Sequence, residues 1–346
     1  MREPAFRLGL IGTGAVTREM HLPGALASER LVVAALVDPV LSRAERLARD
    51  FGIAPKVAAR VEDVFRDVDG VMIATPNNTH RDISVACLDA GVPCLIEKPL
   101  ATTTTDAEAI CAAAERSGKV AAVGYTTRFR DEVVLLKELL DSGYFGAVRR
   151  FHYQEGTMGG WTPASGFTTD RAATGGGVLV TTGTHFIDRM LYWFGCPDSS
   201  SLIDDSKGGP EAYCLATFRY ANGGAPFEGT LLLSKIMPIK PGFVIETEKG
   251  TVVFPMGRAP LYFLPRDEPA VRTVIARNGR KLFSTAKSDS QLEIENFVDA
   301  CRGEAEPMVD ARAGFLSVKL VEDTYRRRSA LADFPQALSA NAWGRV

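Results

Sequence analysis

The fold of this chain is decided near its N-terminus by residues 5–14, AFRLGLIGTG. An apolar strand pattern over residues 5–11 leads into a pair of glycines, and a helix-like segment follows them. Glycines at that place allow a tight turn and let backbone N–H groups approach a pyrophosphate at the start of the helix. A G-x-G pair is weak evidence alone, and its position after the first strand strengthens it. The stretch therefore predicts a dinucleotide-binding turn made by Gly12, Thr13, Gly14, Ala15 and Val16.

Strand and helix patterns alternate beyond this turn up to about residue 127. The strand patterns at 31–37, 70–74, 94–97 and 120–125 are apolar on both faces, and helical segments separate them. Strands buried on both faces are typical of a parallel sheet that helices cover on each side. Residues 1–127 are therefore predicted to form a Rossmann-type, doubly wound α/β domain.

Asp38 ends the second predicted strand and lies 24 residues after Gly14 (38 − 14). A carboxylate at the tip of this strand accepts hydrogen bonds from both ribose hydroxyls and repels a 2′-phosphate. Asp38 therefore predicts a preference for NAD, with NADP the less favoured cofactor. The alternative interpretation is an aspartate that only caps the helix after Pro39.

Polar residues also follow the strand pattern at 70–74. Short polar groups at a strand tip suit the ribose next to the nicotinamide, whereas the same residues also fit a capped helix start. Taken alone, a histidine at this position is more often a surface residue than a catalyst. The candidate cofactor contacts at this tip are Thr75, Pro76, Asn77 and His80.

Glu97 and Lys98 end the apolar pattern within the run CLIEKPLA at 94–101. Polar residues at the carboxyl end of such a strand lie where open α/β sheets bind ligands, so both are candidate cofactor contacts. A lysine beside a nicotinamide ring would hydrogen-bond a substrate hydroxyl and control its proton while hydride moves. The alternative is a lysine that merely solvates the end of the strand.

The pattern changes after about residue 127, where one predicted helix at 131–142 is followed by mostly strand-like periodicity. The strand candidates are 148–157, 212–220, 226–236, 243–248 and 251–254, a series typical of an antiparallel sheet. Residues 128–290 are therefore predicted to form an α+β domain with an open, mostly antiparallel sheet that binds substrate and mediates oligomerisation. Helical patterns at 291–302 and 311–328, within the region 291–346, are predicted to pack back on the first domain.

A glycine triplet at 175–177 introduces the second candidate catalytic residue. It closes a predicted loop at 158–177 and would allow the backbone to pass close to a ligand. A helical pattern follows, which places Thr181 and His185 on one face at i, i+4. His185, with Asp188 three residues further on, is a candidate base with a pKa near neutrality. A hydrogen-bonded core histidine is the alternative.

Composition excludes several classes of function. The 346 residues suggest two domains, and the net charge of −2 gives no field that favours nucleic acid or an anionic membrane. No apolar stretch is long enough to span a bilayer, and no cluster of His, Asp and Glu has the spacing of a metal site. The six cysteines form no C-x-x-C pair. We therefore expect a cytoplasmic protein with free thiols, a small-molecule substrate, no metal and no nucleic-acid or membrane partner.

These motifs together resemble the Gfo/Idh/MocA oxidoreductases, the glucose-fructose oxidoreductase and inositol dehydrogenase family. The similarity covers nearly the whole chain, and the Glu-Lys-Pro run at 97–99 is its most specific element. The other matching residues are Gly-Leu-Ile-Gly-Thr-Gly at 9–14, His21-Leu22-Pro23, Asp38, Thr75-Pro76-Asn77 with His80, Gly124-Tyr125 with Arg128-Phe129, and the glycine triplet with Gly183 and His185. The resemblance implies a Rossmann half, an open antiparallel sheet, and hydride exchange between NAD(P) and a carbon of a sugar, inositol or related polyol.

The resemblance also implies roles for individual residues. The family's lysine and histidine are present as Lys98 and His185, the catalytic candidates, whereas its usual aspartate, four residues before the histidine, is replaced by Thr181. The substrate-binding candidates are Thr181, Arg128, Tyr125 and Trp161. The family pattern further implies a homodimer or homotetramer that forms through the bare face of the open sheet.

Two alternatives to a dehydrogenase stay open at this point. Some relatives use tightly held NAD for transient oxidation within a redox-neutral lyase or glycosidase reaction. The other alternative is a catalytically retired binding or regulatory homologue, with Thr181 as the lesion. Arg128, Arg171 and Lys235 are cations available to an anionic part of the substrate, or are simply solvated surface charges.

Overall fold

The structure is a computed structural model that describes residues 4–158, 170–222, 224–254, 260–276 and 287–332. The strands of its first sheet are β1 Phe6–Ile11, β2 Leu31–Val37, β3 Lys56–Ala58, β4 Gly70–Ile73, β5 Cys94–Glu97 and β6 Ala121–Gly124. All six are parallel, in the order β3-β2-β1-β4-β5-β6. This confirms the predicted Rossmann-type sheet. Periodicity does not predict β3, because a strand of three residues is too short to show one.

Helices cover both faces of this sheet, as strands with two apolar faces require. They are α1 Leu22–Leu26, α2 Leu41–Phe51, α3 His80–Asp89 and α4 Thr104–Ser117, with short π- or 3₁₀-helical turns at Thr17–His21, Val61–Val64, Asn77–Thr79 and Thr126–Phe129. One face packs Leu8 and Leu10 into a core, and the opposite face packs Val71 and Ile73 into another. Because the sheet is enclosed, ligands reach it only at its edge, where the strands end.

A nine-stranded sheet forms the second half of the molecule. Its strands are β7 Val148–Met158, β8 Ser199–Asp204, β9 Tyr213–Tyr220, β10 Phe227–Ser234, β11 Ile236–Thr247, β12 Gly250–Phe254, β13 Tyr262–Pro265, β14 Thr273–Val274 and β15 Arg328–Ala330. They follow the order β14-β13-β12-β11-β7-β10-β9-β8-β15. β7 pairs with β10, and β15 with β8, in parallel, whereas the other pairs are antiparallel. The prediction of a mostly antiparallel sheet is confirmed.

The sequence pattern and this sheet differ at several strands. Periodicity does not predict β8 or β13 to β15, because β8 begins with three serines and the others have two to four residues. β11 begins at Ile236, seven residues before the predicted start at 243 (243 − 236). Pro238 and Pro241 interrupt the strand pattern there, and the pairing with β7 accommodates them through register shifts.

The helices of the second half are α5 Asp131–Asp141, α6 Arg171–Thr174, α7 Thr184–Phe194, α8 Asp289–Arg302 and α9 Ala311–Arg326, and a π-helical turn at Leu179–Gly183 leads directly into α7. α7 covers the inner face of the nine-stranded sheet. Phe186 stacks on Tyr153, with ring centroids 4.2 Å apart, and Trp193 stacks on Phe243 at 5.0 Å. This aromatic core fixes the position of the turn that precedes α7.

The last two helices join the halves of the molecule. Phe297 of α8 packs against Phe6, in the core of the parallel sheet. α9 places Phe315 in the other core of that sheet and Val321 in the core of the nine-stranded sheet. The C-terminal helices therefore contact both sheets. The domain boundaries 1–127 and 128–290 stay a prediction.

The described residues also bear on the predicted cellular context. Within these ranges, every helix is too short or too polar to cross a bilayer. No group of three or more His, Cys, Asp or Glu side chains in the same ranges is arranged to hold a metal ion. All six cysteines are free thiols, and four of them are buried. The cytoplasmic location stays a prediction.

Candidate active site

The turn between β1 and α1 requires glycine at one position and leaves space at another. Gly12 has a φ of 90°, and a Cβ on it would lie 2.5 Å from the carbonyl oxygen of Ala74, so only glycine fits. Thr17 donates its hydroxyl to the Gly12 carbonyl at 2.7 Å and so closes the turn. A Cβ added to Gly14 would meet no heavy atom of the described structure within 4 Å. Residues 14–16 therefore form an accessible surface that can approach a phosphate group.

Asp38 lies at the tip of β2 beside this turn. Its Oδ2 accepts hydrogen bonds from the Thr13 backbone at 3.1 Å and the Thr13 hydroxyl at 2.7 Å, and its Oδ1 accepts one from the Val40 N–H at 2.9 Å. The carboxylate therefore makes the local bond that the capping interpretation expects and also contacts the glycine turn. A carboxylate has about four lone-pair sites, and three are used here, so the nearly buried Oδ1 can accept one further hydrogen bond.

The residues directly after β4 tie this strand tip to the rest of the site. Thr75 and Thr79 share a hydrogen bond of 2.7 Å between their hydroxyls. Asn77 donates its side-chain amide to the Thr174 carbonyl at 2.9 Å, which links the parallel sheet to α6. Pro76 is exposed, and Thr75 and Asn77 are partly exposed, so all three remain accessible to a ligand at this edge.

His80 lies behind this tip rather than at its surface. Its ring is fully buried, and its two nitrogens lie 2.9 Å from the Pro99 carbonyl and 3.0 Å from the Thr75 carbonyl. Burial lowers the pKa of His80, although the two carbonyl contacts oppose that shift. The ring therefore joins the tips of β4 and β5, and it is not placed to contact a cofactor as the sequence predicts.

Glu97 is nearly buried at the end of β5, behind Lys98. Its Oε1 lies 2.7 Å from His21 Nε2, and its Oε2 accepts the Lys98 backbone N–H at 2.9 Å. The other nitrogen of His21 lies 3.3 Å from the Ser290 hydroxyl of α8. Burial alone would raise the pKa of Glu97, but His21, Lys98 and His185 outweigh burial and lower the pKa to about 2. Glu97 is therefore a fixed anion beneath the site, not an exposed cofactor contact.

Lys98 reaches the turn that precedes His185. Its Nζ donates to the Thr181 carbonyl at 3.1 Å. Burial lowers the pKa of Lys98, the charge of Glu97 opposes this, and the charge of Lys235 adds to the lowering. The turn at Leu179–Gly183 is π-helical, so the predicted α-helical spacing of Thr181 and His185 is wrong in detail. The two catalytic candidates are nevertheless brought to the same segment.

His185 is half-buried, and its environment favours the neutral ring. Its Nδ1 is buried and has no hydrogen-bond partner among the described residues. The ring meets Tyr125 edge-on, with centroids 6.1 Å apart. Burial lowers the pKa of His185 well below its usual value, the charge of Lys98 adds to this, and Glu97 opposes it. A neutral imidazole next to an ammonium group can accept a proton from an alcohol.

Asp188 does not support His185, contrary to the sequence-based interpretation. Its carboxylate accepts two hydrogen bonds from the Arg128 guanidinium, at 2.7 and 2.9 Å, and both side chains are buried. Tyr192 covers the guanidinium, with its ring centroid 4.2 Å away. Arg128 is therefore occupied inside the fold, which corrects its predicted role in substrate binding.

Of the four substrate-binding candidates, the structure places Thr181 at the site. Tyr125 is fully buried, and its hydroxyl shares a hydrogen bond of 2.8 Å with Ser317 of α9. It contacts the ring of His185 and so supports the catalytic candidate instead of facing a substrate. Trp161 lies outside the described residues.

Two glycines of the triplet, Gly176 and Gly177, pack closely against other parts of the protein. A Cβ on Gly176 would lie 2.2 Å from the Tyr325 hydroxyl oxygen, and one on Gly177 would lie 2.1 Å from the Glu211 carbonyl oxygen. The buried Glu211 carboxylate accepts the N–H groups of Gly177 and Leu179, at 3.0 and 2.9 Å. It also accepts the Tyr325 hydroxyl at 2.7 Å. Glu211 therefore anchors the start of the π-helical turn, whereas Gly175 lines a cavity with Pro99 and Thr174, so the close approach of a ligand at the triplet stays a prediction.

Two further buried groups at the site were not assigned a role from the sequence. His21 belongs to the family pattern, but the residues next to it in the sequence do not show that Glu97 is its partner. Glu293 of α8 is 2 % exposed, and neither of its carboxyl oxygens has a hydrogen-bond partner among the described residues. Burial raises the pKa of Glu293 well above its ordinary value, and Glu97 adds to the shift. No motif indicates Glu293, because it lies within an ordinary helical pattern.

Comparison with known proteins identifies the family. The model of an oxidoreductase family with an NAD-binding Rossmann fold, Gfo/Idh/MocA, matches residues 6–125, and the model of its C-terminal alpha/beta domain matches residues 137–330. The chain is 31% identical to the rhizopine catabolism protein MocA of Rhizobium meliloti over 87% of this chain and 88% of that protein. It is 26% identical to D-glucoside 3-dehydrogenase of Escherichia coli over 94% and 96% of the two chains.

The fold is also shared with solved structures. The WlbA dehydrogenase of Bordetella pertussis, in complex with NADH and UDP-GlcNAcA, superposes with a TM-score of 0.79 at 18% identity, over 94% of this chain and 96% of that one. The chain belongs to the Gfo/Idh/MocA oxidoreductase family. It is an oxidoreductase with a Rossmann domain for a nicotinamide cofactor.

Proposed function

We propose that this oxidoreductase exchanges hydride between NAD and a secondary CH–OH carbon of a sugar, inositol or related polyol. The observation that carries the proposal is the meeting of Lys98 and His185 at one helical turn, an ammonium group beside a neutral imidazole. Relatives named for such substrates, D-glucoside 3-dehydrogenase and inositol 2-dehydrogenase, support the substrate class.

The cofactor would lie across the tips of β1, β2 and β4. Gly12 and Thr13 shape the turn, residues 14–16 would offer backbone N–H groups to the pyrophosphate, and Asp38 would offer its carboxylate to the adenosine ribose. Residues 75–77 line the edge towards the nicotinamide ribose. When bound, the cofactor supplies the hydride acceptor. We infer NAD rather than NADP, because the Asp38 carboxylate would repel a 2′-phosphate at the ribose.

The proton is handled by residues on the other side of the site. His185 would accept it from the substrate hydroxyl, and Lys98 would donate a hydrogen bond to the same oxygen as negative charge develops there. Glu97 acts through Lys98, since its negative charge opposes the loss of the ammonium proton on burial. The Thr181 hydroxyl donates to the Gly177 carbonyl at 3.0 Å and can still accept a hydrogen bond from a substrate hydroxyl.

We also propose a dimer or tetramer that forms through the outer face of the nine-stranded sheet. The pairing registers place Ile203 beside Leu215, and Val244 beside Val253, on this face. Ile203 is 39% exposed, and Leu215 and Val244 are half-buried. The same face also carries charged side chains, among them the Arg150–Glu246 pair, so its apolar residues form patches that a second copy of the chain would cover. Light scattering at micromolar concentration is expected to show an oligomer, and a monomer would contradict the proposal.

The proposed reaction is tested with purified protein and a panel of sugars and polyols. Mass spectrometry of the denatured protein identifies any carried NAD(H), and absorbance at 340 nm then measures NADH. His185→Asn should lower kcat by roughly 10²–10⁴-fold, because the base is lost. His152→Asn is the matched control, since His152 lies on β7 with its Nδ1 2.7 Å from the Thr230 hydroxyl.

The stoichiometry separates the alternatives. One NADH per molecule of product is expected for the proposed dehydrogenase. A product that forms without net NADH would instead indicate the redox-neutral reaction. Cofactor binding without turnover on any member of the panel would contradict the proposal and favour a binding protein.

A further inference from the structure

The substrate side of the site contains several cations, and the fold neutralises most of them. Arg128 makes a buried ion pair with Asp188, and Arg130 pairs with Asp289 at 2.7 Å. Arg171 lies on α6, with its guanidinium 5.4 Å from the ring centroid of Tyr325. Arg128 is therefore not placed to bind a substrate beside His185, whereas the partly exposed Arg171 lies against the ring of Tyr325.

Arg189 is also accounted for. It is buried, and its Nε donates to the His185 carbonyl at 3.1 Å. It also bonds the Tyr153 hydroxyl, which donates to the Glu155 carboxylate at 2.6 Å. The Tyr153 hydroxyl thus bridges Glu155 and Arg189. Arg189 in turn holds α7 against the inner face of β7.

Leu231 and Leu233 of β10 face inwards and are fully buried. Lys235 directly follows this strand, in the bend between β10 and β11. Its backbone N–H donates to the Ala212 carbonyl at 2.7 Å, which continues the pairing with the β9 side of the sheet. A Cβ on Gly183 would lie 2.7 Å from Leu233 Cδ1. The π-helical turn therefore packs directly on the end of β10.

Two lysines thus lie near one turn. Lys98 reaches it from β5, with its Nζ on the Thr181 carbonyl, and Lys235 follows the strand whose Leu233 packs on Gly183 of the turn. The two positive charges repel each other. Burial lowers the pKa of Lys98, and the charge of Lys235 lowers it further. Among the described residues Lys235 takes part in no ion pair, although its side chain is half-buried.

Among the described residues, no acidic side chain is paired with Lys235. The family's usual aspartate, four residues before the histidine, is Thr181 here. Glu155, which pairs in register with Leu233, accepts the Tyr153 hydroxyl and lies close to Arg189, and Glu97 lies beneath Lys98 on the side of His21. Within the described part of the chain, the cation of Lys235 is therefore available to a group from outside the protein.

We propose that the substrate carries an anionic group, a carboxylate or a phosphate, which binds Lys235 beside Lys98. Within the proposed class, sugar acids or sugar phosphates are then preferred to neutral sugars. This inference rests on the proposed function, because it assigns the substrate of the same site. The hydroxyl that reacts lies at Lys98 and His185, and the anion lies one turn away at Lys235.

The experiment measures binding and turnover separately. NADH-loaded protein is titrated with matched probes, namely D-glucose, D-glucuronate and D-glucose 6-phosphate, then the galactose counterparts, and myo-inositol with its 1-phosphate. Dissociation constants come from NADH fluorescence, and turnover is followed with NAD⁺ at 340 nm. Lys235→Met is compared with Lys207→Met, which removes an exposed lysine in the loop between β8 and β9.

We expect an anionic member of at least one set to bind at least about tenfold more tightly than its neutral counterpart, since a charge-assisted contact is gained. Lys235→Met should weaken binding of that probe by roughly 10- to 100-fold and leave the neutral probe unchanged, whereas Lys207→Met should change neither. The uronate and phosphate arms show which anion is preferred.

The outcomes distinguish this inference from the proposed function. Tight, Lys235-dependent binding of an anionic probe without NADH formation supports the anion site and contradicts the dehydrogenase. Oxidation of neutral probes with no preference for anions supports the dehydrogenase and overturns the anion site. Lack of binding by every anionic probe, or an effect of Lys235→Met equal for neutral and anionic probes, also overturns it.

Discussion

The two edges of the site are built in different ways. At the cofactor edge, local backbone geometry decides the shape, through the positive φ of Gly12 and the bonds between Thr13 and Asp38. At the substrate edge, charged side chains from distant parts of the chain decide it. Lys98 is bonded to Thr181, 83 residues away. A local turn can be predicted from its own residues, whereas the charges around a substrate depend on contacts that only the fold creates.

The largest effect is expected on the stability of the protein, at the buried ion pair between Arg128 and Asp188 of the substrate edge. Arg128→Met should lower the free energy of unfolding by about 3–5 kcal/mol, because it leaves the Asp188 carboxylate buried without its partner. Arg130→Met is the control, since its pair with Asp289 is about one-third exposed and should contribute about 0–1 kcal/mol. Urea unfolding of the cofactor-free protein measures both.

A different result would restore the sequence-based assignment. If Arg128→Met unfolds like the native protein but raises KM for the substrate, Arg128 binds substrate and the buried pair is not what holds this edge. The comparison between the two edges would then lose its main support.

The next effect tests chemistry at the substrate edge. Lys98→Met should lower kcat by roughly 10²–10³-fold, because it removes one preorganised donor to the reacting oxygen. Cofactor affinity and the urea midpoint should change little, since the Lys98 side chain makes one hydrogen bond, to a carbonyl. Lys119→Met, at an exposed lysine in the loop before β6, is the control. Near-native turnover of Lys98→Met on a confirmed substrate would remove Lys98 from the mechanism.

The cofactor edge is tested at Asp38, the carboxylate at the tip of β2. Asp38→Ala should reduce the preference for NAD over NADP by about 1–3 kcal/mol, because a charge-assisted hydrogen bond to the ribose is lost along with the repulsion of a 2′-phosphate. Fluorescence titration with NADH and NADPH measures the two dissociation constants. Asp89→Ala, at a surface ion pair with Arg116, is the control. Equal affinity of the native protein for both cofactors would show that Asp38 does not select.

The same contrast explains what could be predicted from the sequence. The parallel sheet, Gly12, Asp38 and the position of Lys98 all follow from apolar runs and the residues that end them. The partner of Arg128 did not follow, because Asp188 is 60 residues away and its neighbour His185 offered a nearer explanation. The packing of Tyr325 on the glycine triplet did not follow either, since a sequence cannot show it.

The smallest effect is expected from Thr181→Asp, which places the family's usual carboxylate on the turn before His185. A carboxylate there favours the protonated ring and so raises the pKa of His185, which burial holds well below its usual value. Oxidation needs the neutral ring of His185. The rate is therefore maximal at pH values above the pKa of His185 and falls as the pH drops below it. The acid limb of the pH–rate profile should therefore move to higher pH, while the rate on a neutral polyol at pH 8 changes by less than about tenfold.

Thr181→Asn separates the charge from the shape at this position. With an anionic substrate, Thr181→Asp should raise KM more than Thr181→Asn does, because the new carboxylate competes with the substrate for Lys98 and Lys235. Profiles of kcat/KM against pH for the three proteins measure both effects. If Thr181→Asp creates activity where the native protein has none, the threonine is a lesion in a retired enzyme. If neither variant changes the profile of an active native enzyme, position 181 does not touch the reaction, and the charge balance of the substrate edge is set by other groups, among them Glu97, Lys98 and Lys235.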